Sequence, residues 1–313
     1  MAVRDLNTPD PLSRVASASF LAAQSPHADA VEVPPAALKA AQEISESSRR
    51  RLNIPVRKSF VRAAEGDLPP MTAVYRGGRS GVVALKLYLG VIWRCAQPPY
   101  ETDKPTRAWA TLLGLPDPST KGARRIAAAA KTLADRDLLT IVGQAGHPNI
   151  LSLLQEDRSG DPYEPPGDAY FRADRFKQFE ERDRHVYFLI NTRLWTEGHI
   201  QSMSGAALVM LLILLAERGG DRHEVWFSTK AFPERYQISE NTRAAGTREL
   251  IDRNLLWIER RPLPINGSNS VFEPNRYRNV YHLKNAALAA RDSEAESSPK
   301  VGSKTLAAPG RNA

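Results

Sequence analysis

Arginine and lysine supply most of the side chains that could do chemistry in this sequence. Between positions 49 and 86 nine of them face only two carboxylates, and this excess is close to the net charge of +8 of the whole chain. The nine are Arg49, Arg50, Arg51, Arg57, Lys58, Arg62, Arg76, Arg79 and Lys86. Such a segment favours a polyanionic partner, because each cation placed on a phosphate releases condensed counterions. A solvated linker without a partner is the alternative. A membrane surface is disfavoured, because Pro55, Pro69, Pro70 and the pair Gly77-Gly78 interrupt any continuous amphipathic helix.

Groups that could catalyse a reaction are scattered. The histidines form no His-x-His or His-Glu-x-x-His pattern, and Cys95 is the only cysteine, so the sequence predicts neither a metal site nor an internal disulfide. Residues 76–81, Arg-Gly-Gly-Arg-Ser-Gly, lack the Gly-Lys-Ser/Thr ending of a phosphate-binding loop, and no Gly-x-Ser-x-Gly motif occurs. We therefore expect a protein that is not an enzyme and that uses no cofactor.

Two copies of one segment organise the middle of the chain. Residues 133–141, Leu-Ala-Asp-Arg-Asp-Leu-Leu-Thr-Ile, return at a constant offset as residues 250–258, Leu-Ile-Asp-Arg-Asn-Leu-Leu-Trp-Ile. Upstream, residues 106–109 (Thr-Arg-Ala-Trp) match residues 229–232 (Thr-Lys-Ala-Phe), and the pair Ser-Gly at 80–81 and again at 204–205 opens an apolar run. Self-similarity in a fixed order predicts a duplicated structural unit.

An amphipathic stretch in each copy predicts a helix with one exposed face. In the first copy apolar residues recur at helical spacing from Ile126 to Leu133. In the second copy Ser239 begins an N-cap, and Gly246 and Leu250 lie on the inner side. The polar residues predicted to face outward are Arg124, Arg125 and Lys131 in the first helix, and Asn241, Thr242 and Arg248 in the second.

Two alternating runs follow each of these helices and predict a β-hairpin. They span 139–142 and 150–154 in the first copy, and 256–259 and 279–283 in the second. Helix, helix, turn, helix and hairpin in this order resemble the winged-helix fold, a helix-turn-helix variant. The resemblance covers 80–154 and 204–283, so we expect a mainly α fold with small β-hairpins and two winged-helix domains. It departs from the family at Arg243, where winged helices carry an aliphatic residue such as Ile126; we expect the Arg243 stem to follow the core and its guanidinium to reach the rim.

The winged-helix resemblance implies that the third helix of each copy enters the major groove of double-stranded DNA. Arginine can pair with guanine and asparagine with adenine, so the six outward residues named above would contact bases. Basic wings commonly follow phosphates, which implies further contacts from Arg260, Arg261, Arg276 and Arg278. In the lead-in segment, phosphate contacts are expected from Arg49, Arg50, Arg51, Arg57 and Lys58.

Composition sets the expected domain boundaries. Residues 1–48 and 285–313 are expected to be disordered tails, with a short helix at 36–45, and residues 49–79 form the basic lead-in. The first winged-helix domain is expected at 80–155, a linker rich in proline, glycine and charge at 156–185, and the second domain at 186–284, beginning with a strand at 186–190. Seven aromatic residues are expected in the cores: Trp93, Trp109, Trp195, Trp226, Trp257, Tyr88 and Phe232. The sequence shows no signal peptide and no apolar run near the ~20 residues of a membrane span, so we expect a cytoplasmic protein without a membrane partner.

Tandem winged helices with a basic lead-in resemble the replication initiators of bacterial plasmids in architecture. That resemblance implies sequence-specific binding of double-stranded DNA at origin repeats, a homodimer formed through the first winged-helix domain, and contacts with host replication proteins. A transcriptional regulator is a second hypothesis, although one winged helix and a sensor domain would then be expected. A third hypothesis is a non-catalytic scaffold whose winged helices dock other proteins.

Overall fold

The structure is a computed structural model that describes residues 32–49, 52–62, 66–218, 224–262 and 277–290. The first elements are α1 (Pro35–Ser47), β1 (Asn53–Arg57), α2 (Pro70–Tyr75) and α3 (Gly81–Arg94), followed by β2 (Glu101–Thr102), α4 (Thr106–Leu112), α5 (Lys121–Ala134), β3 (Leu139–Gln144) and β4 (His147–Leu153). Between the copies lie α6 (Pro166–Arg175), α7 (Phe179–Arg184), β5 (Tyr187–Asn191), α8 (Arg193–Thr196) and α9 (His199–Ser202). The chain continues through α10 (Gly205–Glu217), β6 (Val225–Trp226), α11 (Ala231–Tyr236), α12 (Glu240–Asp252), β7 (Leu256–Pro262) and β8 (Tyr277–Leu283).

Both sequence copies fold into the same order of elements. Each contains a buried helix, a short strand, two further helices and two long strands, and the strands form three-stranded antiparallel sheets ordered β2-β4-β3 and β6-β8-β7. Equivalent residues pair in both sheets, Leu139 with Leu153 and Leu256 with Leu283, so the predicted strand pairs are confirmed. The additional strands β2 and β6 are only two residues long, too short for any periodicity to indicate them. The fold is therefore mixed α and β with small antiparallel sheets, rather than mainly α.

A two-stranded sheet connects the two copies. β1 precedes the first copy and β5 precedes the second, and they pair antiparallel about the central pair Pro55 and Leu189. The strand that leads into the first copy therefore runs opposite to the strand that leads into the second copy. Proline lacks an N–H, and a two-stranded sheet tolerates it because the other edge of each strand carries no partner strand. The strand expected at 186–190 is present, and part of the basic lead-in is a strand of the fold.

The apolar core runs through both copies without interruption. Its centre is formed by α3 and α10, whose residues are buried on nearly all sides, which explains why α10 is apolar around its whole circumference. The rings of Trp93 and Trp195 stack across the copies with centroids 5.7 Å apart. At Gly205 an added Cβ would overlap the Val82 side chain, so the first turns of α10 and α3 meet at a glycine. The two copies are thus packed as one body.

Residues 156–185, which composition predicts to be a linker, are folded. They contain α6 and α7, and Ala169, Ala173 and His185 are buried. The physical reason is a buried ion pair: Glu156, at the start of this segment, bonds Arg57 of β1, and neither residue is exposed. This pair holds the segment against the sheet, while other ion pairs, such as Arg182 with Asp174, lie within the segment.

The segments expected to be tails are ordered where they are described. The helix predicted at 36–45 is present as α1, and its Ala37 and Ala41 are fully buried. After the second copy, Leu288 is buried and its carbonyl accepts a 2.6 Å hydrogen bond from Asn191. Residues 1–31 and 291–313 lie outside the described residues. None of the helices in the described ranges combines the length and apolar character needed to cross a membrane.

Candidate nucleic-acid interface

Helix α5 lies directly on α4 and exposes its opposite face. The predicted inner residues from Ile126 to Leu133 are buried. At the start of the helix, a Cβ on Gly122 would lie 3.0 Å from the Pro116 carbonyl oxygen and 3.1 Å from the Ala110 Cβ. Glycine therefore permits the close approach of α5 to α4, and this contact fixes which face of α5 is presented to solvent.

The exposed face of α5 carries four cations, two of which have no carboxylate partner. Arg124 and Arg125 are exposed and form no ion pair with any described residue. On either side, Lys121 lies 3.5 Å from Asp117 and Lys131 lies 2.9 Å from Asp135. Exposed pairs of this kind contribute about 0–1 kcal/mol, so both lysines can exchange partners at little cost. The sequence prediction omitted Lys121, although its spacing of three and four from the two arginines places it on their face.

Between these cations the α5 surface is flat. Ala127 and Ala128 are exposed and present only methyl groups. A helix with small residues between cations can approach another surface closely along its length, and the arginine side chains then extend beyond its methyl groups. The predicted outward placement of Arg124, Arg125 and Lys131 agrees with this geometry.

Helix α12 occupies the equivalent position in the second copy. Its N-cap is Ser239, whose Oγ accepts from the Thr242 N–H at 3.2 Å, as the sequence predicts. The Thr242 hydroxyl lies 2.9 Å from the same Oγ and is half-buried, so it serves the cap more than the exposed face. A Cβ on Gly246 would overlap the Ala206 carbonyl oxygen, which shows how closely α12 lies on α10.

The outer face of α12 is less basic than that of α5. Its exposed residues are Asn241, Ala245, Arg248 and Asp252, spaced as one helical stripe. Arg248 forms no ion pair with any described residue, whereas Asp252 adds a negative charge at the C-terminal end. The two helices therefore present different chemistry: two unpaired arginines on α5, and one asparagine with one unpaired arginine on α12.

Arg243 differs from its expected placement at the rim of the core. Only 4% of its side chain is exposed, and the guanidinium lies 4.6 Å from the centre of the Phe232 ring and 5.6 Å from that of Phe227. It also donates a 2.9 Å hydrogen bond to the Tyr281 hydroxyl. Aromatic faces attract a cation that water cannot reach, so rings of α11 and the second sheet replace its hydration. Arg243 thus attaches α12 to the body of the second copy.

The strand pair of the second copy, β7 and β8, carries fewer available cations than the sequence predicts for a wing. Arg261 pairs with Glu224 and Glu259, both at 2.7 Å, and these hydrogen bonds raise the pKa of its guanidinium. Arg278 is half-buried over the Trp226 ring at 5.2 Å. Arg260 is exposed, with its guanidinium 4.4 Å from the centre of the Tyr277 ring, and it remains able to contact a phosphate. Arg276 lies outside the described residues.

Arg57 contradicts the prediction of a phosphate contact. Its side chain is fully buried and pairs with the equally buried Glu156. Its Nε donates to His185 Nδ1 at 3.1 Å and its Nη2 donates to the Glu164 carbonyl oxygen at 2.8 Å. Every part of the guanidinium is committed to the protein, and the cause is the pairing of β1 with β5, which turns this residue inward. Arg57 therefore holds the segment between the copies against the sheet.

The other lead-in residues differ in how far they reach solvent. Arg49 is exposed, and Lys58 is half-buried. Burial, followed by the nearby positive charge of Arg62, lowers the pKa of the Lys58 ammonium. Arg50 and Arg51 lie outside the described residues. Of the lead-in positions predicted to contact phosphate, the described part of the chain thus leaves Arg49 freely available and Lys58 partly so.

Two tryptophans expected in the core lie on the surface instead. Trp226 is 52% exposed and Trp257 is 45% exposed, whereas the other five aromatic residues assigned to the cores are buried as predicted. Trp257 stacks on His282 with ring centroids 4.1 Å apart. In the first copy the residues that pair at this point are Thr140 and Ser152. The outer faces of the two sheets therefore differ more than their inner faces do.

Among the described residues no three histidine, cysteine or carboxylate side chains are grouped closely enough to bind a metal ion. Each copy instead presents one exposed helix face, that of α5 in the first copy and that of α12 in the second. Comparison with known proteins yields no matching family, no matching characterised protein and no matching solved structure.

Proposed function

We propose that each copy is a winged-helix domain and that the protein binds double-stranded DNA through α5 and α12. The observation that carries this proposal is the duplication itself: each copy places one exposed helix directly before a small antiparallel sheet. A helix of this kind fits the major groove, where a helix can reach base edges. The sheet beside it then lies over the sugar-phosphate backbone.

The exposed side chains suggest a division between the two helices. Arg124 and Arg125 of α5 can each donate two hydrogen bonds to a guanine or neutralise a phosphate. Asn241 of α12 can pair with an adenine, and Arg248 with a guanine. Lys121, Lys131, Arg49 and Arg260 are exposed or weakly paired cations suited to phosphates, which position a protein without specifying sequence.

The rigid connection between the copies supports a single composite DNA site. The β1–β5 sheet and the shared core fix the distance and angle between α5 and α12. Such a protein reads two neighbouring DNA segments at one spacing, as expected of an initiator that recognises origin repeats. We therefore propose replication initiation on a plasmid or similar mobile element as the biological role.

Binding is tested with overlapping duplexes tiled across the DNA on both sides of the gene, by fluorescence anisotropy at several salt concentrations. If six or more phosphates are contacted, affinity should fall by ~10³-fold or more between ~50 and ~200 mM salt. The single variants Arg124→Ala and Arg125→Ala should each weaken binding, and the matched control is Arg175→Ala, which removes one exposed and unpaired arginine from α6. Absence of binding at low salt, or an equal loss in Arg175→Ala, would remove the support for α5 as the DNA-binding helix.

Spacing and replication give two further measurements. Insertion of about 5 base pairs between the segments read by α5 and α12 should abolish tight binding, because half a helical turn places the second segment on the opposite side of the duplex. A plasmid that carries only this gene and its flanking DNA should replicate, and it should stop replicating with Arg124→Ala/Arg125→Ala. A protein that binds the DNA but cannot support replication would keep the DNA-binding proposal and refute the initiator role.

A further inference from the structure

A cavity of about 430 Å³ lies in the first copy between α1 and α4. Its apolar wall is formed by Ala40 and Ile44 of α1 and by Leu112 of α4. Arg94, from the last turn of α3, and Lys104, just before α4, line the same cavity. Its volume falls in the range of ~300–1,000 Å³ that is typical of small-molecule sites.

The indole of Trp109 forms part of the apolar wall of this cavity. Trp109 lines the cavity and is only 3% exposed. Its Cζ3 atom lies 3.4 Å from the position that a Cβ on Gly90 would take, so the ring is packed against α3 on that edge. Its Nε1 atom is fully buried and therefore does not face the cavity. The indole signal of Trp109 can nevertheless report on a ligand that packs on the ring.

The charged groups around the cavity favour an anion. Arg94 and Lys104 form no ion pair with any described residue, and both can only donate hydrogen bonds. Glu43 is the one carboxylate in the lining, and it is exposed. Two cations and one anion leave a single net positive charge, which matches a monovalent anion.

The second copy carries a cavity at the equivalent place, and the charges in its lining are paired differently. A cavity of about 370 Å³ is lined there by Ala231 and Phe232, the sequence equivalents of Ala108 and Trp109. Glu217 also lines this cavity, and its carboxylate accepts hydrogen bonds from Arg62 and Tyr236. Arg94 and Lys104 in the first copy have no such carboxylate partner among the described residues.

We propose that the cavity of the first copy binds a small apolar carboxylic acid. Its carboxylate accepts hydrogen bonds from Arg94 and Lys104, and its apolar body packs on Ile44, Leu112 and the Trp109 ring. An aliphatic chain or an aromatic ring of moderate size fits the volume. This binding concerns the first copy alone and does not depend on whether the protein binds DNA.

The test uses the full chain labelled with ¹⁵N at its five tryptophans, whose indole signals are recorded while octanoate or 4-phenylbutyrate is added. Trp109→Phe identifies the Trp109 signal, because that signal is then missing from the spectrum. That signal should shift and reach saturation with either acid. Octan-1-ol lacks the carboxylate and acetate lacks the apolar body, so both should bind at least about tenfold more weakly.

Variants then separate the proposed contacts from general folding effects. Arg94→Met should raise the dissociation constant of octanoate by about tenfold or more, since it removes a charge-assisted hydrogen bond. Arg107→Met, an exposed arginine of α4 outside the cavity lining, should leave it unchanged. A Trp109 signal that neither acid moves, octan-1-ol binding as tightly as octanoate, or inorganic phosphate giving the same shift would each overturn the proposal.

Discussion

The buried pair of Arg57 and Glu156 allows the clearest test of how the fold positions its cations. Both side chains are fully buried, and Arg57 also donates to His185 and to the Glu164 carbonyl oxygen. In Glu156→Leu the guanidinium would keep its charge and lose the carboxylate that neutralises it. Removing one member of a buried pair costs about 3–5 kcal/mol, because the remaining charge stays in a site that water cannot reach.

The expected loss can be measured by chemical and thermal unfolding. In a chain of this length each kcal/mol of lost stability lowers Tm by about 2 °C. Glu156→Leu should therefore lower Tm by roughly 6–10 °C. The double variant Arg57→Met/Glu156→Leu should be more stable than Glu156→Leu alone, because no unpaired charge is then buried. A cost below about 1 kcal/mol for the single variant, or a double variant less stable than the single one, would refute the buried-pair reasoning.

DNA binding by the double variant distinguishes a structural cation from a phosphate contact. Each phosphate contact contributes about 0.9 to the slope of log affinity against log salt concentration. Because Arg57 is inaccessible, the slope of the double variant should equal that of the unmodified protein, provided that both are folded at the temperature used. A slope reduced by about 0.9 would show that Arg57 reaches DNA after all.

Three further predictions concern single positions. Burial lowers the pKa of Lys86 from 10.5 to about 8. Between pH 8 and pH 10.5 the unfolded chain therefore binds more protons than the folded chain, and the free energy of unfolding should rise with pH in this range. Urea unfolding from pH 7 to 10 should show this rise, and Lys86→Met should remove it. Gly246→Ala should lower the free energy of unfolding, because the clash of the new Cβ with the Ala206 backbone outweighs the ~1 kcal/mol that alanine gains over glycine in helix propensity. Gly143→Ala, whose Cβ would have no neighbour closer than 4.0 Å, should be nearly neutral in the same unfolding assay. Arg248→Ala should change which duplexes are preferred when a randomised pool is selected on the protein, and an equal loss across all sequences would identify it as a phosphate contact.

Local patterns in the sequence predicted much of the repeated unit. The buried stripe of α5, the Ser239 cap of α12 and the strand pairs that follow both helices depend on residues close together in the chain. Helical spacing alone also placed Arg124, Arg125 and Arg248 on exposed faces, and the structure agrees. Where periodicity is local and appears twice, each copy supports the interpretation of the other.

Features that depend on contacts between distant residues were not predicted from the sequence. Arg57 looked like one cation among nine, and its burial depends on Glu156, which lies 99 residues further along the chain. The cavity beside Trp109 depends on α1, in a segment whose composition resembles a tail. Trp257 occupies an apolar run but lies on the outer face of its sheet, because the run alternates and one face is exposed. No pattern within a short window contains the first two contacts, whereas the alternation around Trp257 is local and agrees with its place on the outer face.

The differences between the two copies determine the symmetry expected of the proposed DNA site. Identical domains related by a two-fold rotation would read an inverted repeat, since equivalent side chains would meet equivalent bases. The two copies are alike in their buried residues, since Leu139 and Leu256 begin equivalent strands. They differ in their exposed residues, since α5 exposes Arg124 and Arg125 whereas α12 exposes Asn241 and Arg248. If both helices read bases, the two halves of the site must therefore differ: α5 favours guanines and α12 combines adenine with guanine. An asymmetric site of this kind gives the bound protein one direction on the duplex, which suits a role in which replication must leave the site in a defined orientation.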